Sequence, residues 1–152
     1  MIKRSAGLLV YRTAKGFLEV FLVHPGGPFW AKKDSGAWSI PKGEFEMEEP
    51  LAAARREFRE EIGVDIAGDF IELKPIKQKG GKMVYAWAVA SDLDETKIRS
   101  NTFMLEWPPK SGVMKEYPEV DRAGWFDVET AKEKILTSQA GLIEELVEFL
   151  TE

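Results

Sequence analysis

The hydrophobic positions fall into short strand-like runs, then into one helical period, then into strands again. "GLLVYR" (Gly7–Arg12) and "FLEVFLVH" (Phe17–His24) have strand length and composition, and they flank the turn "TAKG". "PGGPFWAKKDSG" (Pro25–Gly36) is punctuated by Gly and Pro and reads as a loop. "AWSI" (Ala37–Ile40) is a short apolar piece ahead of "PKGEFEMEE", a second irregular stretch. Pro50 suits a first helical turn, where its missing amide proton has no partner to lose. The helical period then runs from Leu51 to about Ile62, and Gly63 is a C-terminal stop. "FIELKPIKQ" (Phe70–Gln78) and "KMVYAWAVA" (Lys82–Ala90) read as strands around a Gly80-Gly81 turn, with Met83, Tyr85, Trp87 and Val89 alternating with smaller residues. A long polar connection follows, containing the rigid turn "EWPPKSG" (Glu106–Gly112), then a short strand, "AGWFDV" (Ala123–Val128). Glu129 to Glu152 reads as one or two helices, with Leu142, Leu146 and Leu150 at helical spacing. Mixed strands with a central and a C-terminal helix predict an α/β sandwich, and 152 residues are enough for one domain spanning 1–152.

Charge and composition narrow the function. A net charge of −5 lacks the basic field that grips long nucleic acid, so none is expected as a partner. A small anionic substrate neutralised by metal ions stays open. No apolar run approaches the length of a membrane span, so no membrane partner is expected. The N-terminal apolar stretch, Ala6–Val10, is shorter than a secretory leader needs. The absence of cysteine rules out disulfide and thiolate chemistry and fits a reducing, cytoplasmic location. The only histidine, His24, stands at a strand end and reads as structural, and no His or Cys cluster suggests zinc. The oligomeric state, monomer or homodimer, is left open.

Successive helical residues lie roughly 100° apart around the axis. Leu51, Phe58 and Ile62 then share the core side, while Glu57, Glu60 and Glu61 cluster on another side at i, i+3 and i+4. Like charges at that spacing destabilise a bare helix by a few tenths of a kcal/mol per pair. One reading is a solvated face offset by Arg55, Arg56 and Arg59. The other is a hard-cation site, where carboxylates hold Mg²⁺ or Mn²⁺ while the ion keeps several waters. The helix alone leaves both open.

"REFREEIG" (Arg56–Gly63), preceded by Gly43 and Glu48, resembles the signature of the Nudix hydrolases: a glycine, a glutamate, then Arg-Glu, an apolar residue, any residue, Glu-Glu, any residue and Gly. "WSIPKGE" and "PLAAARRE" are also similar to this family. The resemblance implies a Nudix-like α/β/α sandwich with a mixed β-sheet, a central box helix (box 43–64) and a C-terminal helix. It implies a Mg²⁺- or Mn²⁺-dependent pyrophosphohydrolase, in which water attacks phosphorus of a diphosphate. The substrate would be a nucleotide or nucleoside diphosphate derivative: an NTP, a dinucleoside polyphosphate or a nucleotide sugar. Carried over by position, Glu57, Glu60 and Glu61 become the metal ligands, with a Gly43 carbonyl helping. Glu57 could also accept a proton from the attacking water, and Glu48 would pair with Arg56 to orient the helix start. The chain departs from the pattern by one missing residue between Gly43 and Glu48; the alternative assignment to Glu49 moves the gap to the helix side. Some members bring a glutamate from a distant loop. Within "KEYPEVDRAGWF" (Lys115–Phe126), Glu119 is the first choice for this role and Glu116 the second.

The box implies the reaction and leaves the substrate to the loops. Lys32, Lys33 and Lys42 could hold phosphates as point charges. Phe29 and Trp30 could stack on a base or pack in the core. Trp38 belongs to the core, and Trp87 to the core or the site. The alternative function is a catalytically inactive Nudix-like nucleotide-binding or sensor module, which would have little reason to retain all three box glutamates; a purely structural protein is weaker still.

Overall fold

The computed structural model describes residues 2–151; Met1 and Glu152, the ends of the expected domain span and of the expected last helix, lie outside the described residues. The core element is a seven-stranded sheet in which β1 (Arg4–Ala14) and β6 (Met83–Ala90) run parallel at the centre. Around them the order is β4 (Ile71–Glu72), β6, β1, β2 (Phe17–Pro25), β9 (Val120–Asp127). Strand β3 (Lys42–Phe45) joins β1, and β5 (Ile76–Lys77) joins β6; all pairings except β1 with β6 are antiparallel.

Both faces of this sheet are covered. Helix α1 (Pro50–Ile62) packs on one face over Leu8, Val10, Phe21 and Trp87. Helices α2 (Val128–Lys134) and α3 (Ala140–Thr151) cover the other, over Leu9, Leu22 and Trp38. Double coverage is why "GLLV" and "AWAVA" read as continuous apolar runs: each face needs its own buried side chains. The result is the α/β/α sandwich expected. Trp38 is in the core as expected, and Trp87, 9% exposed, also packs there.

Several local expectations change. The stretch "KGEF" is a strand, not irregular, because β1 supplies its partner from Arg4↔Phe45 to Gly7↔Lys42. Four residues are too few for alternation to show. The same pairing extends β1 back to Arg4, and the β1–β2 hairpin extends it forward to Ala14. The turn is two residues, Lys15 and Gly16, both at positive φ (53° and 82°), which matches the right-handed strand twist. The polar connection hides a separate hairpin of β7 (Thr102–Glu106) and β8 (Met114–Pro118), closed by the expected "EWPPKSG" turn. Met104 and Met114 on this hairpin are exposed, so no buried face marks it in the sequence.

Helix α1 buries Ala53, Ala54, Phe58 and Ile62, whereas Leu51 is only half-buried. The two alanines let the helix axis approach the sheet, and Phe58 meets Phe21 at 6.3 Å between ring centroids. Truncating Phe58 to alanine would cost about 3–5 kcal/mol. Gly63 ends the helix at φ 83°, with its N–H donating to the Arg59 carbonyl. Leu142 and Leu146 are buried on α3, while Leu150, near its end, is 40% exposed. Among the described residues no helix is long and apolar enough to cross a membrane.

Candidate active site

Gly43 stands on β3 opposite Ala6, facing α1. A Cβ built on it would lie 2.0 Å from the Glu57 carboxyl carbon and 2.0 Å from Oε2. Only glycine leaves room for that carboxylate. Arg56 is the hub beside it. Its Nε donates to both Glu48 oxygens (3.0 and 2.8 Å), and Nη2 donates to Glu48 Oε1 at 2.7 Å. Nη1 donates to Glu57 Oε1 at 2.8 Å and to both Glu60 oxygens at 3.2 Å. Glu48, not Glu49, therefore meets Arg56; Glu49 is the extended N-cap residue and its side chain makes no capping bond. The hydrogen bonds from Arg56 hold the Glu48 carboxyl below its ordinary value, and Glu48 in turn does most to raise Arg56.

Glu61 lies deepest. Burial, reinforced by the charge of Glu57 and opposed by Lys42, pushes its carboxyl up to about 8. Its Oε2 is buried and has no hydrogen-bond partner among the described residues. Burial also raises Glu57, against the pull of Arg56. Lys42 is lowered by burial and by the nearby Lys82, against the carboxylates Glu61, Glu44 and Glu57. Glu61 and Lys42 open on a cavity of about 220 Å³ whose walls also include Trp30, Ile40, Glu119 and Val120.

Glu119 enters this cavity from the turn between β8 and β9. Its N–H donates to the Asn101 carbonyl at 2.9 Å, and its carbonyl accepts the Gly26 N–H at 3.0 Å. Asn101 itself donates to the Glu60 carbonyl at 2.9 Å, which fixes the turn to the end of α1. Partial burial, then the charge of Glu60, raises the Glu119 carboxyl. No side-chain hydrogen bond to Glu119 occurs among the described residues. Glu116 instead sits on β8, where it accepts from Thr102 Oγ1 at 2.9 Å.

The structure does not gather every expected residue. Glu60 turns toward Arg56, and among the described residues no three His, Asp or Glu side chains converge on one ion position. The donor set still fits a hard dication: carboxylate oxygens, among them an orphaned Glu61 Oε2, and a cradle at Gly43 that a Cβ would fill. Lys32 is exposed and outside the cavity wall, and Lys33 places its Nζ 5.1 Å over the Trp30 ring. Phe29 is 57% exposed and stacks edge-on with Trp107, 5.1 Å away, outside both cores. Sequence reading missed Lys82, Asn101 and Gly26. Lys82, which pairs with Glu44 at 3.4 Å, is one of four lysines in a polar turn, so nothing singled it out. The Gly-Gly pair was visible, but its contact was not.

The α1 carboxylates, their arginine and the glycine beside them therefore sit on an α/β/α sandwich. The chain matches the NUDIX domain family model over residues 1–146. It belongs to the Nudix family, hydrolases that act on phosphoric anhydride bonds. Among solved structures it is similar to the Ap4A hydrolase of C. elegans in a binary complex, at 21% identity and a TM-score of 0.69, covering 99% of this chain and 98% of that one. It is also similar to the NUDIX domain of Shewanella oneidensis NrtR complexed with ADP ribose, at 14% identity and a TM-score of 0.69 over 99% and 89% of the two chains. A mutT/nudix family protein from Listeria innocua gives 14% identity and a TM-score of 0.61 over 98% and 94%. No curated protein matches the sequence.

Proposed function

We propose that the protein is a Mg²⁺-dependent pyrophosphohydrolase cleaving a diphosphate linkage in an NTP, a dinucleoside polyphosphate or a nucleotide sugar. The observation that carries this reading is the buried Glu61 carboxylate on the cavity wall, with one oxygen unpartnered among the described residues, beside Glu57 and Lys42. Glu57, Glu61 and Glu60, with the Gly43 carbonyl, would hold the metal; when bound, it neutralises diphosphate charge and polarises the reacting phosphorus.

This chain's own residues do the rest. Lys42 meets a phosphate oxygen as a point charge. Trp30, with Lys33 over its ring, offers a face to a base. Arg56 holds Glu57 in place through its bond of 2.8 Å and is itself anchored by Glu48. Glu119 is assigned the base. Among the described residues it has no ion pair, whereas Glu57 is already held by Arg56. Water oxygen bonds to phosphorus, the bridging P–O bond breaks with its electron pair leaving on the departing phosphate, and Glu119 takes the water proton. The lack of cysteine supports a reducing compartment such as the cytoplasm.

The test is product release from the three substrate classes with Mg²⁺, Mn²⁺ or excess chelator, beside calorimetric titration of Mg²⁺ into the protein. Turnover that needs the metal, and Mg²⁺ binding lost in Glu61→Gln, are expected. Full turnover in chelator after metal stripping would overturn the reading.

A further inference from the structure

His24 is fully buried, yet the reaction above does not use it. Its Nδ1 lies 2.8 Å from Asp121 Oδ1 and its Nε2 lies 2.7 Å from the Lys33 carbonyl oxygen. The ring also packs edge-on against Trp38, 5.3 Å between centroids. Each ring nitrogen of a buried histidine needs a partner, and here the two partners lie on segments that the sequence keeps far apart. One is the Trp30–Lys33 loop, whose Trp30 lines the cavity. The other is the start of β9, two residues after Glu119.

The backbone is shaped for this contact. The pairing of β2 with β9 is regular until His24↔Arg122, then shifts so that Pro25 faces Val120. Asp121 is the residue left over in that shift. A bulge of this kind re-aims the side chain it releases, and here the Asp121 carboxylate meets the buried ring. Beside it, the Gly26 N–H donates to the Glu119 carbonyl, and a Cβ on Gly26 would come within 1.9 Å of the Pro118 carbonyl oxygen.

We infer that His24 is a positioning residue that ties the Trp30–Lys33 loop and the Glu119–Asp121 turn into one unit at the cavity mouth. Its kinetic consequence rests on the proposed role of Glu119 as base; its structural consequence does not. Substrate seated on Trp30 then meets a Glu119 held at a fixed distance from it.

The experiment uses His24→Phe, which keeps a ring against Trp38 and removes both hydrogen bonds, together with Asp121→Ala and Asp121→Asn. The asparagine can accept from or donate to the ring, so it serves as the rescue. Amide hydrogen exchange at Gly26 and Glu119 should quicken at least about tenfold in His24→Phe and Asp121→Ala, with Asp121→Asn and the amides inside α1 unchanged. Turnover at saturating substrate should fall at least about tenfold in His24→Phe, and by less than about threefold further when Glu119→Gln is already present. If His24→Phe fails to fold, the Asp121 pair gives the same exchange comparison. Unchanged exchange at both amides, or additive kinetic losses, overturns the inference. Full activity of Glu119→Gln alone overturns the base assignment instead, and the exchange result then decides the clamp by itself.

Discussion

Glu61→Gln replaces one carboxylate oxygen with an amide nitrogen at the cavity wall and leaves the side-chain length unchanged. In the folded protein the carboxyl is pushed from 4.5 up to about 8, chiefly by burial and then by Glu57. A folded value above the unfolded one means that folding favours the protonated form. The contribution is fully present below about pH 4.5 and is lost as pH rises through about 8. That gap corresponds to roughly 5 kcal/mol of metal-free stability. Glutamine carries no charge to lose, but its amide leaves a donor without an acceptor where Oε2 now has no partner, at about 1–3 kcal/mol. The variant should therefore be less stable than the parent near pH 4.5 and more stable by about 2–4 kcal/mol above pH 8. Urea unfolding of both metal-stripped proteins from pH 4.5 to 9, read as their difference, isolates this group from every other titration. Turnover should fall at least a hundredfold, about 2.7 kcal/mol. Two stability curves that stay parallel across the window would refute the burial argument, and unchanged turnover would refute the role.

Glu48→Gln and Arg56→Gln should each lower turnover and be non-additive in a double-mutant cycle, with Glu49→Gln as a silent control; additive losses would deny the pair its function. Gly43→Ala places a Cβ 2.0 Å from the Glu57 carboxyl, so turnover should drop at least about tenfold, and an unchanged kcat would mean the carboxylate has room to move. Glu119→Gln should lower turnover at least about tenfold with Tm within about a couple of degrees. Normal turnover at saturating substrate and metal would return the base role to Glu57.

The box helix was legible because three independent patterns coincide on it: the helical period, the Pro50 and Gly63 boundaries, and the spacing of Arg56, Glu57, Glu60 and Glu61. The apolar runs gave β1, β2 and β6, whose burial on both faces is a composition signal. What stayed hidden depends on partners. Strand β3 is a strand because β1 lies beside it, and the β7–β8 hairpin buries too little to leave a periodic trace. Side-chain direction was equally out of reach. Glu57, Glu60 and Glu61 share a helix side, yet Glu57 is 14% exposed and Glu60 42%. Only the sheet edge and Arg56 decide which of them faces inward. His24 looked ordinary because its partner Asp121 lies 97 residues away.

The missing box residue can be placed from the contacts on either side of it. Gly43 is fixed beside Glu57 by strand pairing with Ala6, a constraint that loop length does not touch. Glu48 is fixed by three hydrogen bonds to Arg56, whose position follows from the phase of α1. The deletion therefore falls between these two anchors. There the chain leaves β3 at buried Phe45 and reaches the N-cap at Glu49 through only Glu46, Met47 and Glu48. Arg4 fastens the short span: Nη2 donates to the Glu46 carbonyl at 2.5 Å, and the guanidinium lies 4.6 Å over the Phe45 ring. Met47 is forced outward and is 95% exposed. A loop tightened in this way changes the rim of the site while leaving Gly43 against Glu57, Glu57 bonded to Arg56 and Arg56 bonded to Glu48, so the departure from the family pattern falls on the surface and not on the proposed catalytic groups.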